Sequence, residues 1–466
     1  MMLLRHEFRL AWREGRLGWV PVAIATLAVL VLAGAVPEHI VKHRQAQSAA
    51  DAEYARWLNQ GGKYAHAAAH YGMFAFRPVT ALTPLDSGIT PYLGATIWME
   101  AHWQDSAMHR PVDDSPLAGR WEMTAPARFV QIVWPLLIVL LGHGVFSRER
   151  ERGTLRLILA QRAGLGPIVL AKAVVMMVVA LFPVLVLQSA VPLTALLAGL
   201  PLPGGGLSRW AGMIAVSLLY LLFWVLLVLA VSALSRTSSC SLATLLALWM
   251  MLGLVLPRAA ASWAALRAPT IAQETMNRQI RDEIREYEGV DRAERTKRRL
   301  LRQYGFTGAG SLPLNWDGIF RQEGEDHGNQ LFDRVWGMLY AQYFEQQHWI
   351  ALSAPLSPAI AFECASTHLA GTDVEHDRHF VQAAERHRRL MQTLINRELT
   401  GLRTSEGTRP LSNRELWSRI PPFVYHVPPP GAVPGHLGAT CAALLGHVLG
   451  GAGLLIFAVH RAERSA

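Results

Sequence analysis

Long uncharged runs constrain this chain more than any motif it carries. Residues 17–36, 129–146, 168–200, 210–234, 242–256 and 437–459 are almost wholly apolar. At about 1.5 Å per helical residue, roughly 20 such residues cross a hydrocarbon layer about 30 Å thick. The runs exclude a purely soluble enzyme and predict an all-α integral membrane protein with six transmembrane helices. The third run is long enough to tilt, or to bend at Pro183 or Pro192. Mean hydropathy is only +0.21, too low for a chain lying wholly in lipid. The two long polar segments, 37–128 and 258–434, are therefore expected to form domains in water.

Arginines set the expected topology, because Lys and Arg are retained on the cytoplasmic side near span ends. They crowd residues 1–16 (Arg5, Arg9, Arg13, Arg16), the 147–167 loop (Arg148, Arg150, Arg152, Arg156, Arg162) and the C-terminal tail (Arg461, Arg464). Arg236 adds one more between the fourth and fifth runs. An even number of spans with both termini inside satisfies all of them and puts both polar segments outside. In that setting a net charge of +9 orients the protein rather than binding nucleic acid. Leu4, Phe8, Ala11 and Trp12 recur at helical spacing, so residues 1–16 are expected to lie on the inner lipid surface. Cys240, Cys364 and Cys441 are too scattered for a disulfide framework or a zinc site.

The first outer segment should continue span one as a helix to about Gln60, then turn after Gly61 and Gly62 into an aromatic, loop-rich module. The second opens with a long charged stretch of helical period from Glu274. Further helices are expected at about 331–348 and 374–400, the latter N-capped by Asp373 after the break at Gly371 and Thr372. Few strand signals appear, so the outer part reads as a mainly helical cap. Histidines concentrate there. His66 and His70 stand four apart, and with His102 or Glu100 they could share a metal; His376 and His379 form a second pair. No dense ligand spacing is present, so the expectation is hydrogen-bonded histidines and no metal.

The chain has no P-loop, no H-E-x-x-H helix and no G-x-S-x-G elbow. Any energy must come from another subunit. Ser147–Lys172 begins where the second run ends, with five consecutive charges from Arg148 to Arg152 and breaks at Gly153, Gly164 and Gly166. By charge alone it is an ordinary inside loop; by shape it is a surface that a soluble partner could push.

"SRERERGTLRLIL" resembles the E-x-E-x-G-T-L segment of permease subunits of type-two ABC transporters. That resemblance implies a coupling helix docking on an ATPase, carried here by Arg148, Glu149, Glu151, Gly153, Thr154 and Leu155. "RHEFRLAWREGR" is similar to the family's elbow helix. It keeps Glu7, Phe8 and Arg13 in register, with His6 in the usual lysine place. The "AHYG", "PYLG" and "LAGTD" runs resemble a bacterial subfamily with two large outer inserts, related to the permease serving nitrous oxide reductase maturation. The resemblance implies a non-enzymatic subunit of the bacterial inner membrane. It would work with ABC ATPase subunits that hold ATP and Mg, with a second permease copy or paralogue, and with a periplasmic partner, without a cofactor of its own. Its work would be export or action on an extracytoplasmic partner; the competing class is a membrane-anchored metal-binding or maturation factor.

Within the last run, Gly438, Ala442, Gly446 and Gly450 place a small residue every fourth position, a stripe that lets another helix approach closely. His143, Gln188 and His447 are polar groups in or near apolar runs. Each is either functional or bonded to a backbone carbonyl.

Overall fold

The structure is a computed structural model that describes residues 5, 7–9, 19–110, 126–155, 165–308, 312–402 and 411–464. Helix α1 (Trp19–Leu58) carries the first apolar run and continues without a break into the first polar segment, as its Ala-rich, charged sequence predicts. A short helix, α2 (Ala65–Ala69), follows. Among the described residues, five helices are long and apolar enough to cross a membrane: α3 (Pro126–Glu151), α4 (Gly166–Leu197), α5 (Gly206–Leu234), α6 (Ser238–Arg267) and, at the end of the chain, α13 (Leu437–Arg464).

Helix α5 is apolar on every side and takes the centre of the bundle, as an all-round apolar helix must. The buried share of its most apolar stretch is 67%, against 17% for α6 and 28% for α13. Those two helices therefore present most of their apolar surface outward. Helix α4 remains one helix through Pro183 and Pro192. The fifth span is longer than the 242–256 run. Thr237 caps it by accepting from the Cys240 amide at 3.2 Å, and a π turn at Met251–Val255 precedes Pro257. That wider turn falls where proline lacks its N–H, so the Ala-rich sequence beyond it stays helical. A second π turn, Phe129–Val133, interrupts α3. Carbonyls in both wider turns accept side-chain donors: Tyr220 Oη to Gln131 O (2.6 Å), Trp249 Nε1 to Ile132 O (3.0 Å) and Ser357 Oγ to Leu252 O (2.5 Å).

The second polar segment is helical, but divided differently from its sequence pattern. Its charged opening breaks at Gly289 into α7 (Gln273–Glu288) and α8 (Arg292–Tyr304). The helix expected at 331–348 starts much earlier, as α9 (Trp316–Leu352), because Asn315 caps it by accepting from the Asp317 amide at 3.1 Å. Helix α11 (Val374–Gly401) starts where Asp373 accepts from the His376 amide at 3.0 Å, as expected. Helix α10 (Pro358–Ala370) departs from the picture of a segment wholly apart from the spans. Its apolar residues join the same core as α5, with Phe362 and Tyr220 rings 4.9 Å apart. A short helix, α12 (Arg414–Ser418), completes the set.

Both polar segments share one core, in which Trp57, Met73 and Ile97 meet Phe380, Met391 and Trp417. Trp57 Nε1 donates to Trp417 O and Trp417 Nε1 to Gly61 O, both at 3.0 Å. Two small antiparallel ribbons add to it. β1 (Lys63–Tyr64) pairs with β4 (Leu411–Ser412), and β2 (Met73–Phe76) pairs with β3 (Thr96–Met99). Gly72 enters the second ribbon at φ +52°, where an added Cβ would fall 2.4 Å from the Trp98 ring; only glycine fits.

Candidate functional site

The bundle has two poles. At one, the ends of α3, α5 and α13 meet the starts of α4 and α6. Phe146 N donates to Ser232 Oγ (3.0 Å), Arg150 Nη1 to Ser235 O (2.5 Å), and Leu165 N to Glu463 Oε1 (2.9 Å). Since the helices alternate in direction, the polar segments emerge at the other pole.

The first pole holds the charged loop. Its Ser147–Glu151 turn of helix exposes Arg148 and Glu151, followed by exposed Arg152, Gly153 and Thr154, while Leu155 turns into the bundle core. Gly153 takes φ +72°, the left-handed turn that ends the helix. The two glutamates differ. Glu149 pairs with Lys172 Nζ at 2.9 Å, and the same ammonium lies 3.3 Å from Glu7 of the N-terminal segment. Glu151 accepts from Ser238 N (3.0 Å) and Ser238 Oγ (2.9 Å) at the start of α6. One buried cation thus ties the N-terminal segment, the loop and α4 together, and the second glutamate ties the loop to α6. Phe8, next to Glu7 in sequence, is half-buried; Arg13 and residues 156–164 lie outside the described residues.

Lys172 is the member that the sequence reasoning passed over. A lone lysine inside "GPIVLAKAVVMM" had to find a carboxylate, because an unpaired ammonium there is costly. The three polar groups noted in the apolar runs each make an ordinary hydrogen bond. His143 Nδ1 bonds Leu140 O (3.0 Å), Gln188 donates to Ser217 Oγ, and His447 Nε2 bonds Ala354 O (2.9 Å). Gly438, Ala442, Gly446 and Gly450 all lie exposed along α13, and no other part of the described chain comes within 4 Å of a Cβ built on the three glycines.

At the second pole two histidine groups form. His368, Asp373 and His376 are buried beside Arg209, the first-turn arginine of α5. Asp373 bonds both imidazoles, at 2.6 Å to His368 and 2.5 Å to His376, and Arg209 Nη2 reaches His376 Nε2 at 2.9 Å. The rest of the Arg209 fork donates to Gly204 O, His368 O, Leu369 O and Pro428 O. The other group is His66, His70 and His102, brought together because Ala101 N bonds Ala69 O at 3.2 Å, which lays the His102 turn beside α2. Their ring centroids are 4.7–5.0 Å apart. Burial, with the Arg321 guanidinium close by, lowers His66 to about 3; burial, with His70 and Arg321, lowers His102 to about 4. Both are neutral at physiological pH. The sequence named His66 and His70 with His102 or Glu100 as the third member, and the fold brings His102 to the pair.

Among known families, the model described as "ABC-2 family transporter protein" matches residues 1–303, and "Domain of unknown function (DUF3526)" matches residues 262–426. No curated protein matches the chain. The first match covers every element of the charged pole except the C-terminal helix, and the second covers most of the helical segment at the opposite pole. A multi-pass helical chain whose larger part fits a transporter membrane component is a permease subunit of an ABC transporter, a class that generally works with ABC ATPase subunits: the chain belongs to the ABC-2 family of transporter membrane proteins.

Proposed function

We propose that this chain is the coupling half of an ABC transporter, moved by a separate ATPase that engages the exposed loop from Arg148 to Thr154. The junction at Lys172 carries the proposal. A push on the loop reaches α4 through Glu149 and Lys172, the N-terminal elbow through Glu7, and α6 through Glu151 and Ser238. Arg148, Arg152 and Thr154 face outward and supply the contact, so the glutamates act as tie rods, Glu149 half-buried and Glu151 at the surface, and the residues beside them meet the ATPase. ATP binding then shifts the spans between two packings, which is all that transport requires of a permease.

In this proposal the chain crosses the bacterial inner membrane six times, α1 providing the first crossing, with both termini cytoplasmic. The arginines at the loop pole support that orientation, and the α5-centred bundle leaves α6 and α13 outward for lipid or a second permease. The two polar segments form one extracytoplasmic cap, through which the complex exports or acts on a periplasmic partner, as the resemblance of the outer inserts implies. Single-cysteine versions test the orientation in a background that carries Cys240→Ser, Cys364→Ala and Cys441→Ser, which removes all three native cysteines. A membrane-impermeant maleimide applied to spheroplasts is expected to label Val290→Cys, fully exposed between α7 and α8, and to spare Thr154→Cys until the membrane is opened. Labelling of Thr154→Cys in intact spheroplasts would overturn the assignment.

A further inference from the structure

We propose that His66, His70 and His102 form a binding site for a divalent first-row cation of the zinc class, on the pole that carries both polar segments. Two nitrogens on a tetrahedral ion at about 2.0–2.1 Å lie roughly 3.3 Å apart. His66 Nε2 and His102 Nε2 are 3.3 Å apart, and one ligand nitrogen from each of the three histidines falls within 4.8 Å of the others. Three imidazoles suit zinc and its neighbours in the first row and disfavour magnesium or calcium, which require oxygen ligands.

The proton arrangement points the same way. His102 Nδ1 faces Glu325 Oε1 at 3.5 Å, and that buried oxygen has no hydrogen-bond partner. A proton on Nδ1 answers the carboxylate and leaves the Nε2 lone pair turned toward His66, the carboxylate–histidine pairing that stands behind many metal ligands. His66 Nε2 is itself an acceptor, bonded by Arg321 Nη1 at 2.6 Å. Two imidazole lone pairs therefore meet where an electrophile belongs, and the guanidinium fills that role. Its Nε is separately held by Asp317 at 3.1 Å, so Arg321 keeps an anchor when an ion takes its place.

His70 is exposed and gives the ion a way in, while the His102 turn is held rigidly from behind by Arg388 Nη1 on Ala101 O at 2.6 Å. The buried group of His368, Asp373 and His376 offers no such site, because Arg209 and the imidazoles already use the Asp373 oxygens and His376 Nε2.

The test uses the full chain in detergent, purified through a tag without histidine, stripped with chelator and titrated with Zn2+ or with Co2+ as the spectroscopic probe. One equivalent is expected to bind per chain, with Co2+ developing the visible bands of a tetrahedral site. His70→Ala and His102→Ala should each weaken binding by about 10-fold or more, exposed His348→Ala should not, and Arg321→Met should bind at least as tightly as the parent. His70→Ala removes only an exposed side chain, so its loss of binding is not a loss of fold. Failure of the parent to bind either ion, equal binding by His70→Ala and His102→Ala, or abolition by Arg321→Met would overturn the site. Binding is read without any ATPase, so the outcome is independent of the coupling proposal.

Discussion

Replacing Lys172 by methionine is expected to leave a folded permease that no longer answers its ATPase. The ammonium is the only described cation between Glu149 and Glu7. Without it two partly buried carboxylates face each other, the N-terminal segment loses its hold, and the loop loses its tie to α4. Coupling free energies between sites are typically about 1–3 kcal/mol, so ATP-driven work should fall by roughly 5- to 150-fold. The double reversal Glu149→Lys with Glu151→Lys should do more. The first change sets a second ammonium against Lys172 across about the distance of the present ion pair, and the second leaves the Ser238 amide without its acceptor. The measurement is the nucleotide hydrolysis of the reconstituted complex, together with thermal unfolding of the permease alone. Reduced coupling with an unchanged unfolding midpoint fits the tie-rod role; unchanged coupling contradicts it.

The second large effect falls at the opposite pole. Arg209→Ala should destabilise the junction between α5, α10 and α11 by roughly 3 kcal/mol or more, since buried acceptors left unpaired cost about 1–3 kcal/mol each. The guanidinium satisfies four backbone carbonyls and His376 from one fork. Arg209→Lys should rescue little, because an ammonium has three donors and no planar fork. Thermal unfolding in detergent reads the change. A variant as stable as the parent would mean that water or a shifted α10 replaces the fork.

Some of this architecture is legible in the sequence because it is local. Apolar runs set the spans, Asp373 announces the start of α11, and the Ala-rich stretch after residue 37 carries α1 onward. Other features depend on partners far along the chain. β1 pairs with β4 across the length of the protein. In the π turns of α3 and α6, Tyr220, Trp249 and Ser357 bond the carbonyls, and no periodicity reveals those contacts. Arg209 looks like a surface arginine at the start of a span, since its partners are mostly backbone atoms that carry no residue signature. Gly289 splits a stretch whose charge pattern reads as one helix. At the loop, the motif residues are legible but their roles are not. Glu149 faces inward only because Lys172, in the second turn of α4, offers the counter-charge.

The most direct measurement is photocrosslinking in native membranes from a benzophenone amino acid placed at Thr154, with the same group at Val290 as the comparison. A P-loop ATPase joined at residue 154 and absent at residue 290 is the predicted result. An ATPase joined at residue 290, or none at residue 154 while the purified chain works alone in lipid, would contradict the account.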